Sequence, residues 1–268
     1  MKKFLKSLVP PIILEIYRKT KRNKYGWYGN YKTWVEAKNA STGYDSEKIL
    51  EKVKSSLLKV KNGDAVFERD SVIFEEVQYS WPFIAGLMYA AAKCQGKLNV
   101  LDFGGSLGSS YYQNKKFLDG LNQVTWSIVE QKKFVDIGKQ YFEDERLNFF
   151  YNVKDCIKKK KPKTLVLASI LQYIENPYEL LNDILVYDFD IIIIDRTYFN
   201  IQNRNVIKLQ VVPPEIYEAS YPCWFFDENY FIEYFKNKCY RVIEKFSWPV
   251  EAGSEYTLIG MIMKKDSI

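Results

Sequence analysis

Between Leu98 and Ser109 an apolar run, Leu98-Asn-Val-Leu-Asp102-Phe103, ends in an acid and leads straight into Gly104-Gly105-Ser106-Leu107-Gly108. A strand joined to a helix by a glycine turn opens an α/β sheet. Glycine permits the sharp reversal and lets a ligand approach the main chain itself. The alternation continues downstream. Strands are predicted at Leu98–Phe103, Val124–Val129, Leu147–Tyr151 and Lys163–Leu167, with helices near Ser109–Leu118, Lys132–Phe142 and Pro177–Leu185. Asp190–Ile194 contains four consecutive isoleucines, the pattern of a strand buried on both faces. A helix at Asp227–Asn237 then precedes two strands, Tyr240–Phe246 and Thr257–Met263, which read as an antiparallel pair. The expected fold is α/β, with a mostly parallel seven-stranded sheet, a C-terminal antiparallel strand pair and ligands at the carboxyl ends of the strands.

Upstream of this region the pattern is helical. Asp45–Val60 carries Ile49, Leu50, Val53, Leu57 and Leu58 on one face, and Ser80–Cys94 begins with Trp81-Pro82, where a proline costs little. Gly26–Gly43 reads as an ordered loop around a short helix. The expected division is an N-terminal basic segment with a helical extension, 1–95, and a ligand-binding domain, 96–268.

Charge and composition exclude several classes of function. The formal charge is +6, but residues 1–30 hold eight Lys/Arg and one acid, so the remainder sums to −1. A nucleic-acid enzyme would carry its basic footprint on the body that holds the site, so no nucleic-acid partner is expected. The run Lys158–Lys161 reads as a solvated turn ahead of a strand. The apolar stretch Leu8–Ile16, broken by Pro10 and Pro11, is too short to span a bilayer. It reads as a helix docked on protein, or as a basic segment lying on an anionic membrane surface. Four widely spaced cysteines without a C-x-x-C pair fit reduced thiols and a cytoplasmic protein, at most peripheral to the inner face of the membrane. Histidine is absent, which removes Ser-His and Cys-His dyads, histidine bases and histidine metal ligands together. No metal is expected.

Glu130 ends the second strand, 22 residues beyond Gly108, where an acid can accept both hydroxyls of a ribose. The segment resembles the first motif of class I (Rossmann-like) S-adenosylmethionine-dependent methyltransferases. Asp102, Gly104 and Gly108 match that motif, Ser106 replaces its middle glycine and Gly105 is extra. Ala168-Ser169-Ile170-Leu171-Gln172-Tyr173-Ile174-Glu175-Asn176-Pro177 looks like the fourth motif of these enzymes. Asp195-Arg196-Thr197 and the segment Gln210–Trp224 resemble a family of methyltransferases associated with bacterial surface-polysaccharide (capsule and O-antigen) gene clusters. Gly29-x-Tyr31-x-x-Trp34 and Ser41-x-Gly43-Tyr44 extend that likeness over roughly residues 26–263.

The resemblance implies S-adenosyl-L-methionine as cofactor. Asp102, Gly104, Gly105, Ser106 and Gly108 would face its methionine part, Glu130 its ribose and Asp155 its adenine, with Ser169 and Gln172 at its border. It implies an O- or N-methyltransferase for a sugar, nucleotide sugar or related precursor. Asp195, at the end of the buried fifth strand, is the candidate base, with capping of the following turn as its other role. Arg196 would bind an anionic acceptor or form a structural ion pair. Tyr173, Tyr221 and Trp224 would line the acceptor pocket or pack in the core. Two other readings stand beside this one. They are a non-catalytic Rossmann-like scaffold of a polysaccharide assembly complex and an NAD-dependent sugar oxidoreductase or epimerase. The second lacks its usual Tyr-x-x-x-Lys pair after the fourth strand.

Overall fold

The structure is a computed structural model that describes residues 25–43, 46–69, 71–214, 216–251 and 253–266. The basic N-terminal segment and Tyr44 lie outside them. The chain divides into two compact units, a smaller one of 1–45 and 207–223 and a larger one of 46–206 and 224–268. The expected boundary at residue 95 is instead the link between a helix and the first strand of the large sheet.

In the smaller unit, β1 (Gly26–Tyr31) precedes α1 (Trp34–Asn39), whose N-terminus is closed by a reciprocal capping box between Thr33 and Glu36. Gly26–Gly43 therefore contains a strand as well as the expected short helix. The strand exists because it pairs with a segment about 180 residues away, which local sequence does not reveal.

The larger unit begins with α2 (Ser46–Asn62), a short hairpin of β2 (Phe67–Arg69) and β3 (Val72–Phe74), and α3 (Trp81–Lys93). Ser80 caps α3 by accepting the Phe83 N–H. The alternating region follows: β4 (Lys97–Phe103), α4 (Ser109–Leu118), β5 (Gln123–Val129), α5 (Lys132–Tyr141), β6 (Leu147–Phe150), α6 (Val153–Lys160) and β7 (Thr164–Ala168). After a 3-10 turn at Leu171–Tyr173 come α7 (Pro177–Leu185) and β8 (Ile191–Asn200). The chain then contributes β9 (Val206–Val211) and β10 (Ser220–Phe225), which with β1 form a three-stranded sheet in the order β1-β9-β10. It ends in α8 (Glu228–Asn237), β11 (Tyr240–Trp248) and β12 (Tyr256–Lys265).

The large sheet has seven strands in the order β11-β12-β8-β7-β4-β5-β6. Neighbours from β8 to β6 are parallel, and β12 is antiparallel to both β8 and β11. This is the mostly parallel sheet with a C-terminal antiparallel pair that the sequence pattern predicts. The isoleucine run forms the start of β8 with both faces covered. On one side Gly86 of α3 lies against Ile193 and Ile262, and on the other Ile192 and Ile194 join Leu181, Ile184, Phe231 and Phe235 of α7 and α8.

Two local expectations are corrected. Lys158–Lys160 form the last turn of α6, and Lys161 closes it in a left-handed conformation, so the lysines are helical rather than a turn. Their charge complements the negative end of the helix, whose N-terminus is set by Asn152. β9, β10 and the β2–β3 hairpin also lie in segments read without strands. Among the described residues no helix is long and apolar enough to cross a membrane.

Gly138 on α5 shows how closely helix and sheet approach. A Cβ there would lie 2.4 Å from the Phe149 ring of β6. At an exposed helical site Gly→Ala stabilises by roughly 0.5–1 kcal/mol. Here overpacking should reverse the sign and cost about 1–3 kcal/mol, so urea denaturation of Gly138→Ala should show a lower midpoint; an unchanged or higher one contradicts this packing.

Candidate functional site

From β4 the chain builds outward through β5 to β6, then crosses back to β7 and β8 on the other side of β4. The reversal leaves a crevice at the carboxyl ends of β4 and β7, where open α/β sheets bind ligands. Asp102 to Gly108 leave β4 on one side of it, and Ser169 to Tyr173 leave β7 on the other. The two loops touch, since a Cβ on Gly104 would lie 2.5 Å from Ile170.

Asp102 is 1% exposed. Its Oδ2 accepts the Trp126 indole N–H at 3.0 Å, while its Oδ1 has no partner among the described residues. Burial pushes the carboxyl up to about 7, the Trp126 hydrogen bond pulls it back and the Glu130 charge raises it further. Gly105 passes directly above, where a Cβ would lie 2.5 Å from the Asp102 carboxyl carbon. The extra glycine of the motif is thus required by this close approach. Ser106 stands where the motif has its middle glycine and adopts the left-handed conformation all the same, with φ of 54°. Glu130 stabilises that turn by accepting the backbone N–H groups of Ser106 and Gln131, and burial raises its own pKa against them.

A second anchor of the glycine loop comes from the hairpin. Glu68, 1% exposed, accepts hydrogen bonds from the Ser71 N–H and from the hydroxyl of Ser109, the first residue of α4. An acid at a helix N-terminus is favoured by the helix dipole. Its neighbour Arg69 lies near enough to Asp195 to favour the ionised carboxylate there.

Just past the end of β7 at Ser169, with φ of 54°, and in the middle of β8 at Arg196, with φ of 48°, the backbone is strained at non-glycine residues; Asp195 therefore does not end its strand as expected, because β8 continues beside β12 to Asn200. The Ser169 N–H donates to the Asp195 carbonyl at 2.8 Å. Gln172, fully buried, donates from Nε2 to Ser169 Oγ and to the Arg196 carbonyl at 3.2 and 3.0 Å. Its Oε1 has no partner among the described residues. Asp195 and Arg196 together oppose Gly260 of β12, so β8 bulges here. Asp195 accepts the Trp248 indole N–H at 2.9 Å, and its other oxygen lies 3.4 Å from Arg196 Nε. Burial raises the Asp195 pKa, opposed by Arg196, Trp248 and Arg69. The Arg196 guanidinium also lies 5.6 Å from the Trp248 ring centre.

The structure thus gathers Asp102, Gly104, Gly105, Ser106, Gly108 and Glu130 on one side of the crevice, and Ser169, Gln172, Asp195 and Arg196 on the other. Tyr173 ends the adjoining 3-10 turn. Trp224 donates its indole N–H to the carbonyls of Ile174 and Glu175, at 3.1 and 3.3 Å. Asp155 sits in the first turn of α6, where its N–H and carboxylate engage the Asn152 side chain. Tyr221 belongs to the smaller unit, where its hydroxyl meets that of Tyr217 at 3.2 Å. Trp126, Trp248, Glu68 and Arg69 were not singled out from sequence. For Glu68 and Arg69 no local signal exists. A tryptophan on the strand beside a motif acid was the available clue for Trp126.

No family model and no curated protein matches this chain. Solved structures do. The N-terminal domain of EvdMO1, crystallised in the presence of S-adenosylhomocysteine and D-fucose, is similar over 83% of this chain and 98% of its own, with a TM-score of 0.50 and 14% identity. The fold is that of a class I methyltransferase. A Clostridium acetobutylicum S-adenosylmethionine-dependent methyltransferase matches 69% of this chain and 91% of its own, with a TM-score of 0.45 and 11% identity. Burkholderia thailandensis 1,6-didemethyltoxoflavin-N1-methyltransferase matches 84% of this chain and 92% of its own, with a TM-score of 0.44 and 12% identity.

The Asp102 environment sets a pH dependence. Its folded pKa of about 7 exceeds the roughly 3.9 of an unfolded aspartate. The folded state therefore holds a proton that the unfolded state has released. Stability is full below about pH 4 and falls as pH rises to about 7, by at most about 4 kcal/mol at 1.36 kcal/mol per unit. Urea midpoints measured across pH 4 to 8 should fall less in Asp102→Asn than in the parent protein; parallel curves would contradict this assignment.

Proposed function

We propose that this chain is an S-adenosylmethionine-dependent O- or N-methyltransferase acting on a sugar, nucleotide sugar or related surface-polysaccharide precursor. The observation that carries the cofactor assignment is the glycine loop at the β4–β7 crevice, with a buried acid beneath it that keeps one oxygen unpaired. S-adenosylmethionine carries an ammonium and a sulfonium, so an unsatisfied carboxylate oxygen is matched to it in charge. The loop and Asp102 would hold its methionine part, Glu130 its ribose and Asp155 its adenine, with Ser169 and Gln172 along its edge. When bound, it supplies an electrophilic methyl group on sulfur. The chain's own contribution is to hold the acceptor in line with that methyl and to exclude water, which is where much of the acceleration of a displacement reaction arises.

A chain without histidine draws its base from carboxylate, tyrosine, lysine or solvent. Asp195 is the first candidate, with Arg196 holding its charge and orientation. The D-fucose in the EvdMO1 experiment supports a sugar as acceptor class. Tyr173 and Trp224, both in the larger unit, would line the acceptor pocket. On this reading the enzyme would be cytoplasmic, and the basic residues Lys2 to Lys24 would hold it to the anionic inner face of the membrane.

Calorimetry with S-adenosylmethionine, S-adenosylhomocysteine and NAD tests the cofactor assignment. The first two should bind and NAD should not; the reverse overturns it. Because an ammonium next to Asp102 favours its ionised form, S-adenosylhomocysteine binding at pH 6 should release a proton, seen as a binding heat that depends on the buffer. The release should vanish above about pH 8.5, well past the pKa of about 7.

Transfer of a labelled methyl group to a panel of nucleotide sugars tests Asp195. Asp195→Asn should lower transfer by roughly 10²-fold or more if the carboxylate is the base. An unchanged rate would leave it only as the partner of Arg196 and Trp248.

A further inference from the structure

The stretch 170–190 contains Glu175, Glu179, Asp183, Asp188 and Asp190 and not one Lys or Arg, in a chain of formal charge +6. Asp188 and Asp190 are paired with Lys265 and Lys163. Glu175 and Glu179 have no cationic partner among the described residues. Both stand at a cavity of about 220 Å³ at the start of α7, whose other walls include Tyr178, Asn205, Trp224 and Phe226. The floor is aromatic. Trp224 and Phe226 are stacked with ring centres 6.4 Å apart and planes at 21°, and Tyr178 meets Phe226 edge-on at 6.2 Å. The Tyr178 hydroxyl is buried and has no hydrogen-bond partner among the described residues. Asp227, the N-cap of α8, adds a third negative group close to Tyr178. Arg204 adjoins Asn205 in the chain but does not line the cavity.

Aromatic faces present negative charge and carboxylates present more; among the described residues no Lys or Arg lines the cavity, and the full charges of Glu175 and Glu179 outweigh the partial positive charge of the α7 N-terminus beside them. Such a space attracts a cation and repels a phosphate. Its size is below the ~300–1,000 Å³ of pockets for drug-sized ligands, so it fits a single ring and not a whole nucleotide. A flat indole suits the apolar face of a sugar, while the rim amides and carboxylates suit its polar groups. The cavity directly follows the Ser169–Tyr173 turn in the chain, and the Trp224 hydrogen bonds to Ile174 and Glu175 fix its floor to that turn.

We propose that this cavity binds an amine-bearing sugar unit in its protonated form, and that the acceptor of the methyltransferase is an amino sugar. The second half rests on the functional reading above; the first does not. Any phosphate of a nucleotide-linked acceptor then lies outside the cavity.

Saturation-transfer NMR and titration of the full chain with glucosamine, glucose and glucose 6-phosphate at pH 6.5 test the assignment. Glucosamine should bind roughly tenfold more tightly than glucose, and glucose 6-phosphate most weakly. Glu175→Gln combined with Glu179→Gln should abolish the preference for glucosamine while leaving glucose binding in place, and Trp224→Leu should weaken both. S-adenosylhomocysteine binding, measured on every variant, reports that the fold is intact. Glucose 6-phosphate binding as well as glucosamine, a preference that survives in the double variant, or no glucosamine binding would each overturn the assignment. Glucosamine binding without any S-adenosylhomocysteine binding would support the cavity and sink the methyltransferase reading.

Discussion

A carboxylate without access to water sits at the centre of this fold. Asp102 is packed beneath Gly105 and satisfied at one oxygen by the indole of Trp126. Much around the crevice follows from accommodating it. The loop after the strand must carry a residue with no Cβ over the acid, the neighbouring strand must bring a donor of the right reach, and Glu130 must gather the loop from the other side. A charge held this way in a low-dielectric site is costly unless something pairs with it. Part of that cost is avoided by keeping the proton, which is why its pKa lies near 7. The rest is available as attraction for a cationic ligand.

The opposite side of the crevice is organised by strain. Ser169 and Arg196 both hold left-handed backbone without being glycine, and Gln172 ties the two together from within the protein. The bulge in β8 turns consecutive residues, Asp195 and Arg196, toward each other's charge, and Trp248 reaches across β12 to complete the group. Such a cluster is rigid because every member is positioned by at least two others. That rigidity suits a reaction whose barrier is lowered by alignment.

The central sheet was legible in the sequence because its signals are local. Four isoleucines in a row specify burial on both faces, a glycine turn after an apolar run specifies the first crossover, and Pro177 marks a helix start. The same local reasoning singled out Asp102, Glu130, Ser169 and Asp195, which the fold places around the crevice. It failed where structure depends on distant partners. β1 is a strand only because β9 lies beside it, and Glu68 matters only because the fold delivers Ser109 to it. Lys158–Lys160 misled for another reason: a run of like charge carries no apolar periodicity, so the helix beneath it shows only through Asn152 and the single buried Cys156.

β8 is ten residues long and β7 only five, and Ala168 at the end of β7 stands opposite Asp195. The last part of β8 therefore outruns its neighbour. Phe226 takes up the vacated edge through hydrogen bonds with Tyr198 and Asn200, and the Asn205 side chain accepts the Asp227 N–H at 2.8 Å. The chain departs for the smaller unit just after Asn205 and returns just before Phe226. Its exit and re-entry are thus fastened together within the larger unit itself. A change in the length of the chain between these two points therefore leaves the register of the sheet that carries the crevice untouched.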